Sequence, residues 1–299
     1  MTERLRAATR GSALALWQTR HVASLVGEEI DEVVVSTVGD RNTDVPIHTM
    51  GGKGVFVKEV QAALLDGRAD IAVHSGKDLP AVTPPGLTLV AVPARADARD
   101  ALIGSTWDAL PVGGRVATGS VRRRAQLAWH RPDLVFSELR GNIQTRLGKL
   151  ESGGFDAIVM AAAALDRLEL SLSTDVDRLD PSIMVPQVAQ GALAIECRAD
   201  DASTIARLQP IEDPETRRVF DTERAFLDEL GGDCDLPAGA HAVLDGSGAI
   251  ELVGMLSTLD GRVLVRERRT GDDPDALGRA VARFLLDERG GSDLLADTR

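Results

Sequence analysis

The sequence predicts an α/β protein that ends in a small α+β domain. Over the first two thirds of its 299 residues, short apolar strands alternate with helical patterns, which is typical of α/β folds with mostly parallel strands. After Pro214 the pattern changes to a helix, three strand-like runs and a last helix. A hydrophobic content of 43% supports well-formed cores, and the length predicts two or three domains.

The α/β region consists of two units in which strands and helices alternate. In the first unit, a strand over residues 5–9 leads to Ser12, which can cap a helix over residues 13–30. This unit continues with a strand at 32–38, a helix at 57–65, and strands at 70–74 and 87–92. The second unit has strands at 115–118, 134–136 and 157–160 and helices at 121–129 and 143–151. A strand at 193–197 and a helix at 204–208 follow.

The C-terminal region predicts a three-stranded antiparallel sheet between two helices. Its first helix covers residues 215–230 and ends at Gly231 and Gly232, which can form a C-cap. Strand-like runs at 241–245, 249–257 and 262–268 are separated by "DGSG" and "LDG", which favour hairpin turns. The last helix covers roughly residues 275–288. Cys234 therefore lies on the loop where the first helix ends and the sheet begins.

Composition argues against several classes of function. The net charge is −12 and aromatic residues make up only 3% of the chain, which disfavours nucleic-acid binding. With this charge, an acidic ligand must be held by a local cluster of cations. The longest apolar run, "AIVMAAAAL", is too short to span a bilayer, and the first residues lack the apolar segment of a secretory signal. Two cysteines cannot form a disulfide framework, so we expect a cytoplasmic protein without membrane contact.

The stretch "TGSVRRRAQLAW" predicts an anion site at a helix N-terminus. Ser120 can cap the helix, which places Arg122, Arg123 and Arg124 in the first turn, where cations oppose the helix dipole. A bound anion would explain these residues, because backbone N–H and guanidinium groups converge there. A solvated basic turn or an ion pair with a neighbouring domain is the alternative, and three successive arginines favour the anion.

A second stretch, "LRGNIQTRLGKL", has the same arrangement, although an ordinary surface helix explains it equally well. Asn142 can cap the helix, Arg140 precedes it and Arg146 lies one turn inside. Both stretches follow a strand, so together they indicate a cleft at the carboxyl ends of a parallel sheet. Lys77 and Asp78 also follow a strand, in "DIAVHSGKDLP". They offer a cation for a carboxylate, and a carboxylate for proton transfer or cation stabilisation, but a solvated turn is equally compatible.

The two cysteines differ in their surroundings. Cys197 alternates in phase with Leu193 and Ile195, which predicts a place in the core. Cys234 lies between two aspartates whose charges disfavour its thiolate, so local chemistry alone indicates an unreactive cysteine. The five histidines and two cysteines lack the spacing of metal ligands, and no metal is expected.

In order and spacing, these motifs resemble the hydroxymethylbilane synthase family, also called porphobilinogen deaminases, over essentially the whole chain. The stretches that carry the resemblance are "ATRGSALALWQ", "GGKGVFVKE", "ADIAVHSGKDLP", "TGSVRRRAQL", "LRGNIQTRL", "AAAALDRL", "VAQGALAIECR" and "GGDCDLPAG". The resemblance implies two periplasmic-binding-protein-like α/β lobes and a small α+β C-terminal domain with a three-stranded antiparallel sheet. The implied domains are 1–94 with about 189–211, then 95–188, then 214–299.

The resemblance also implies an activity. Members of this family are transferases of heme and tetrapyrrole biosynthesis. They deaminate and condense four porphobilinogen molecules head-to-tail on a covalent dipyrromethane cofactor, then release hydroxymethylbilane by hydrolysis. Cys234 matches the cysteine that carries the cofactor through a thioether, and Asp78 matches the catalytic aspartate. A carboxylate suits that role because it can pass a proton to the leaving amine and stabilise the cationic intermediate.

The remaining site residues follow from the same match. Those implied to bind the cofactor are Lys77, Ser12, Thr118, Ser120, Arg122, Arg123, Arg140 and Arg146. Those implied to bind substrate are Arg10, Arg140, Arg146, Arg167 and Phe56. Each pyrrole brings an acetate and a propionate, and planar guanidinium groups pair with carboxylates in bidentate fashion. The expected form is a monomer that binds porphobilinogen and neither nucleic acid, membrane nor metal.

Three positions depart from the family pattern. Gly76 stands where methionine is usual, Gly119 where serine is common, and Asp233 in "GGDC" where "EGGC" is usual. None of them removes a group that the chemistry needs. The alternative function is a two-lobed small-anion-binding or sensor protein without catalysis. It explains the arginines, but not Asp78 beside Lys77 or a cysteine on an appended domain.

Overall fold

The computed structural model describes residues 3–37, 39, 54, 56–231 and 236–296. These residues form three β-sheets, which belong to two α/β lobes and a C-terminal α+β domain, so the predicted fold class is confirmed. Across the described ranges, no helix combines the length and the apolar character needed to cross a membrane.

The first lobe is built on a five-stranded sheet with the order β2-β1-β3-β10-β4. Its elements are β1 (Leu5–Arg10), α1 (Ala13–Val26), β2 (Ile30–Val35), α2 (Lys58–Leu65), β3 (Ile71–Ser75), β4 (Leu87–Ala91), β10 (Leu193–Arg198) and α6 (Ala202–Leu208). β1 pairs in parallel with β2 and β3, whereas β10 is antiparallel to β3 and β4. Leu5, Ile71 and Ile195 pack together in one of the lobe's apolar clusters.

The second lobe repeats this plan with the strand order β7-β6-β8-β5-β9. Its elements are β5 (Asp100–Ile103), β6 (Arg115–Ala117), α3 (Val121–His130), β7 (Val135–Ser137), α4 (Ile143–Glu151), β8 (Ala157–Ala161), α5 (Ala162–Arg167) and β9 (Val176–Arg178). β6 pairs in parallel with β7 and β8, and β5 is antiparallel to β8 and β9. The parallel strands of both lobes therefore direct their carboxyl ends to one edge of each sheet.

The lobes contain a smaller share of parallel strands than the sequence predicted. Two of the four pairings in each lobe are antiparallel, because a strand from beyond the local β-α-β order inserts beside β3 and beside β8. β5, β9 and α5 were not predicted from the sequence. β5 and β9 are placed by pairing with strands far away in the sequence, β5 with β8 and β9 with β5, and local patterns do not encode such pairing.

The chain crosses between the lobes twice, from β4 to β5 and from β9 to β10. The crossings lie side by side, and the Ala96 N–H donates to the Gly191 carbonyl at 3.1 Å. Gly191 has φ 86°, and a Cβ there would lie 2.5 Å from the Ala96 oxygen, so this approach requires glycine. Ala189, two residues earlier, also has a positive φ of 58°.

The C-terminal domain packs two helices on an antiparallel sheet of order β11-β12-β13. Its elements are α7 (Pro214–Glu229), β11 (Ala238–Leu244), β12 (Ile250–Ser257), β13 (Leu264–Gly271), α8 (Pro274–Arg283), a π-helical turn (Phe284–Glu288) and α9 (Gly291–Ala296). The predicted last helix over roughly residues 275–288 therefore consists of α8 and the π-helical turn, and α9 follows it.

A buried carboxylate attaches this domain to the crossings. Glu223 of α7 has no exposed surface and accepts two hydrogen bonds from the Arg95 guanidinium, at 2.8 and 3.0 Å. It also accepts the backbone N–H groups of Ala189 at 2.6 Å and Ala242 at 2.8 Å. The bond to Ala189 holds that residue in its left-handed conformation.

Candidate active site

The predicted site residues lie at the carboxyl ends of parallel strands in both lobes. The strands lead to Arg10 (β1), Lys77 and Asp78 (β3), Thr118 and Ser120 (β6), Arg140 (β7) and Arg167 (β8). The two edges face each other, since the Arg167 guanidinium lies 5.8 Å from the centroid of the Trp17 ring in α1. We call the space between them the interlobe cleft.

Three helices begin at this cleft with the side-chain caps that the sequence predicted. Ser12 caps α1, Ser120 caps α3 and Asn142 caps α4. Each accepts a hydrogen bond from the backbone N–H three residues on, at 3.3, 3.4 and 2.9 Å respectively. The buried Thr118 hydroxyl accepts the Ser120 N–H at 3.2 Å. The caps fix where each helix starts, and hence the positions from which the side chains of the following arginines project.

Two of the three successive arginines bind a carboxylate of the chain itself. Arg122 and Arg123 both form ion pairs with Asp100, each at 2.8 Å. Arg122 also donates to the Val185 carbonyl at 2.5 Å, and Arg124 is exposed. Burial alone would raise the pKa of Asp100, but the two guanidinium groups outweigh it and hold that pKa below its ordinary value. Asp100 therefore stays ionised and stabilises two buried cations.

Gln190, on the second crossing, joins this ion cluster to Lys77. Its amide Nε2 donates to Asp100 at 3.0 Å and to the Ala98 carbonyl at 2.7 Å. Its Oε1 accepts from Lys77 Nζ and from Arg123, both at 3.3 Å. Burial and the nearby charge of Arg123 lower the pKa of Lys77 to about 8. One amide thus aligns cations from both lobes.

Further cations lie close to one another in the second lobe. Arg146 donates to the Gly141 carbonyl at 2.8 Å, and its pKa falls to about 10 because of burial and the charges of Arg123 and Arg140. Arg167 donates to the Gly191 carbonyl at 2.7 Å, and burial lowers its pKa to about 10 as well. Arg146 is close enough to Arg123 and Arg140 for their charges to repel one another, so these three cations favour a ligand that carries negative charge.

The first lobe contributes Arg10 and Asp78 to the cleft. The Arg10 guanidinium lies 4.2 Å from the centroid of the Phe56 ring, as a cation–π pair. Asp78 is half-buried beside Lys77 at the end of the 3₁₀ turn Gly76–Asp78. Its carboxylate makes no hydrogen bond and no ion pair within the part of the chain that the structure describes. Its oxygens can therefore accept from a ligand.

The groups that organise these cations were not found from the sequence. Asp100 lies at the start of β5, a strand that was not predicted, and the chain order gives no sign that it meets Arg122. Gln190 stood in the stretch "VAQGALAIECR" but was not selected. The sequence signal that could have identified Gln190 is a polar side chain within an apolar segment. The structure shows that this side chain is fully buried, and buried polar groups need hydrogen-bond partners.

The two cysteines take different places. Cys197 is fully buried in β10, and burial together with the charge of Asp201 raises the pKa of its thiol to about 11. The prediction of a core position for Cys197 is confirmed. Cys234 and its predicted role as cofactor anchor lie outside the described residues. Within those residues, no group of three or more His, Cys, Asp or Glu side chains could hold a metal ion.

Two family models match the chain. "Porphobilinogen deaminase, dipyromethane cofactor binding domain" matches residues 5–206, and "Porphobilinogen deaminase, C-terminal domain" matches residues 219–287. The chain belongs to the porphobilinogen deaminase family. The predicted enzyme class, a transferase of tetrapyrrole synthesis, and the dipyrromethane cofactor are thereby confirmed.

Two porphobilinogen deaminases are similar to this chain over nearly its full length. The porphobilinogen deaminase of Brevibacillus brevis is 45% identical over 97% of this chain and 96% of its own. That of Bacillus subtilis is 41% identical over 99% of this chain and 96% of its own. Among solved structures, an ancestral cationic amino acid solute binding protein aligns with 74% of this chain and 93% of its own, at 14% identity and a TM-score of 0.44. Porphobilinogen deaminase membership over the full length, including the C-terminal domain, disfavours the alternative of a non-catalytic anion-binding protein.

Replacing Asp100 by alanine should lower the free energy of unfolding by about 3–5 kcal/mol, because two buried guanidinium groups lose their counter-charge. Urea unfolding followed by circular dichroism measures this change. The matched control is Asp133→Ala, which removes the carboxylate from the more exposed Arg131 pair and should have little effect. Equal losses in the two variants would show that burial of the Asp100 cluster does not matter.

Proposed function

We propose that the interlobe cleft performs the porphobilinogen deaminase reaction with Asp78 as its catalytic group. Four porphobilinogen molecules are deaminated and condensed head-to-tail on a dipyrromethane cofactor, and hydrolysis releases hydroxymethylbilane. The observation that supports this most directly is the half-buried carboxylate of Asp78, which has no hydrogen bond or ion pair among the described residues and lies beside a cluster of cations drawn from both lobes.

The donor set in the cleft fits a cofactor with several carboxylates. Arg123 and Arg140 lie close enough to Arg146 to lower its pKa, and the charge of Arg123 also lowers the pKa of Lys77. Carboxylates placed among these cations would relieve their repulsion and accept charge-assisted hydrogen bonds. When bound, the dipyrromethane supplies the free α-carbon of its terminal pyrrole as the nucleophile.

Asp78 acts on the substrate. Porphobilinogen loses ammonia from its aminomethyl group, which leaves a cation on the pyrrole and its methylene. A carboxylate in a half-buried position stabilises that cation more strongly than one in bulk water, and it can pass a proton to the leaving amine, which departs as ammonia. The adjacent Lys77, bound to Gln190, is proposed to hold a cofactor carboxylate.

The arginines and hydroxyl groups divide between two tasks. Arg123, Arg140, Arg146, Lys77, Ser12, Thr118 and Ser120 are proposed to bind the cofactor, and Arg10, Arg140, Arg146, Arg167 and Phe56 to bind substrate. Arg122 is only 1% exposed, so we propose that it serves the cofactor site through Asp100, which it helps to keep ionised beside Arg123. The Arg10–Phe56 pair combines a carboxylate-binding cation with an apolar face for a pyrrole.

Cys234 is proposed to carry the cofactor through a thioether. The other cysteine, Cys197, is unsuited to the role because it is buried in β10 and its thiol keeps its proton until about pH 11. In the sequence, Cys234 follows shortly after α7, the helix whose Glu223 binds Arg95 of the first crossing.

The first variant to test the anchor is Cys234→Ser. The intact mass of wild type should exceed the sequence mass by two linked pyrrole units, and the excess should be absent from Cys234→Ser. Cys197→Ser is the matched control and should keep it, because that thiol is buried. A modified Cys234→Ser protein would contradict the assignment. An unmodified wild type that gains the adduct on incubation with porphobilinogen was purified as the apo form and supports it.

Asp78→Asn should keep the adduct and lose turnover by about a hundredfold or more, because an amide cannot offset the substrate cation or hold the proton. Porphobilinogen consumption measures this loss. Asp66→Asn is the control, since Asp66 is an exposed carboxylate of the same lobe and should leave turnover unchanged. Normal consumption by Asp78→Asn would contradict the catalytic assignment.

We further propose a cytoplasmic monomer with domains 1–94 plus about 189–211, 95–188 and 214–299, and no nucleic-acid partner. The three sheets support this division, and a net charge of −12 disfavours self-association and nucleic-acid binding. Light scattering should give a single species near 31.8 kDa. A species of twice that mass at micromolar concentration would contradict the monomer.

A further inference from the structure

The turn that carries Asp78 is supported by another domain. Gly76 opens the 3₁₀ turn, and its N–H donates to the Ala192 carbonyl at 2.9 Å. Leu79 closes the turn with a hydrogen bond to the Gly76 carbonyl at 3.2 Å. Leu79 is 5% exposed and belongs to the same apolar cluster as Phe220 of α7. The turn thus rests on the C-terminal domain as well as on its own lobe.

Phe220 lies directly against the start of this turn. It has no exposed surface and is among the largest fully buried side chains of the described residues. A Cβ placed on Gly76 would lie 2.7 Å from Phe220 Cε2, and 3.1 Å from the Cβ and the carbonyl oxygen of Ala189. The ring therefore fills the space in which a side chain at position 76 would stand, and any movement of Phe220 changes the support of Gly76.

Arg224, one helical turn after Phe220, holds the far end of the same segment. Its guanidinium donates to the Ala81 carbonyl at 2.6 Å and lies 5.5 Å from the centroid of the Phe220 ring. Helix α7 accordingly contacts the segment at Gly76 and at Ala81, on either side of Lys77 and Asp78.

We propose that Phe220 and Arg224 are positioning residues, which hold the Asp78 carboxylate in its place in the interlobe cleft through contacts of helix α7. The inference rests on the proposed catalytic role of Asp78. Neither residue touches substrate; each acts through the backbone of the segment from Gly76 to Ala81. Because a catalytic group displaced by about 1 Å can lose a hundredfold in rate, small losses of packing here should appear in kcat.

The chain offers a closely matched control for Phe220. Phe226 lies on the same helix and is equally buried, but it faces the interior of its own domain. A Cβ on Gly254 of β12 would lie 2.6 Å from Phe226 Cε2, and 2.7 Å from Val281 of α8. Phenylalanine to leucine at either position removes the same atoms from a buried site on α7, and only the change at 220 reaches the Asp78 turn.

The experiment compares Phe220→Leu with Phe226→Leu by thermal unfolding, intact mass and steady-state kinetics. Both variants should unfold at lower temperature and keep the dipyrromethane mass. Phe220→Leu should lose about ten- to a hundredfold in kcat with KM changed less than about twofold, and Phe226→Leu should keep kcat within about twofold. A normal kcat for Phe220→Leu, or equal kcat losses in both variants, would overturn the proposal.

A second pair keeps the test decisive if Phe220→Leu fails to fold. Arg224→Met keeps the apolar stem, removes the bond to Ala81, and should lower kcat at least about threefold with KM nearly unchanged.

Gly76→Ala should lower kcat because its methyl group meets the Phe220 ring. Adding Phe220→Leu relieves the tightest contact and should restore part of that loss. Wild-type kcat in Arg224→Met, or additive losses in the double variant, would refute coupling through α7.

Failure of this proposal is distinguishable from failure of the proposed function. If Asp78 is catalytic but α7 does not position it, Asp78→Asn is inactive and Phe220→Leu turns over normally. If Asp78 is not catalytic, Asp78→Asn turns over normally whatever the change at Phe220 does.

Discussion

The arrangement of the cleft depends on one buried carboxylate. Asp100 is fully buried and compensates Arg122 and Arg123, which are 1% and 7% exposed. Without it, two guanidinium groups would be buried without a counter-charge, which is far more costly than burying a paired one. Because Asp100 neutralises part of the charge of these two arginines, the cleft can hold further cations in a protein with a net charge of −12. An anionic ligand would offset the repulsion among those further cations.

The second crossing transmits this arrangement to the other domains. Gln190 bonds to Asp100, Arg123 and Lys77, and the neighbouring residue Ala189 donates its N–H to Glu223. A positive φ at Ala189 and at Gly191 turns the chain so that successive residues contact different domains. These few hydrogen bonds therefore connect the second crossing to both lobes and to the C-terminal domain.

Local patterns predicted the elements with strong periodicity and the helix caps, because both depend on residues close in sequence. Ser12, Ser120 and Asn142 are caps in the structure as expected. The same reasoning could not find β5 or β9, whose places are set by pairing with distant strands. Nor could it pair Asp100 with Arg123, since an ion pair across a fold leaves no mark in the local sequence. The resemblance of ordered motifs gave the family, and the structure added how the arginines are held.

Close contacts explain two departures from the family pattern, at Gly119 and at Gly76. A Cβ at Gly119 would lie 2.8 Å from the Leu139 carbonyl, so the loops after β6 and β7 approach more closely than a serine would allow without a shift. At Gly76 the missing side chain is replaced by the ring of Phe220, which comes from another domain. The volume beside the turn that carries Asp78 is thus filled from α7, and a larger residue at position 76 requires a smaller one at position 220. The two positions should therefore vary together, because the packing constrains their summed volume rather than either residue alone.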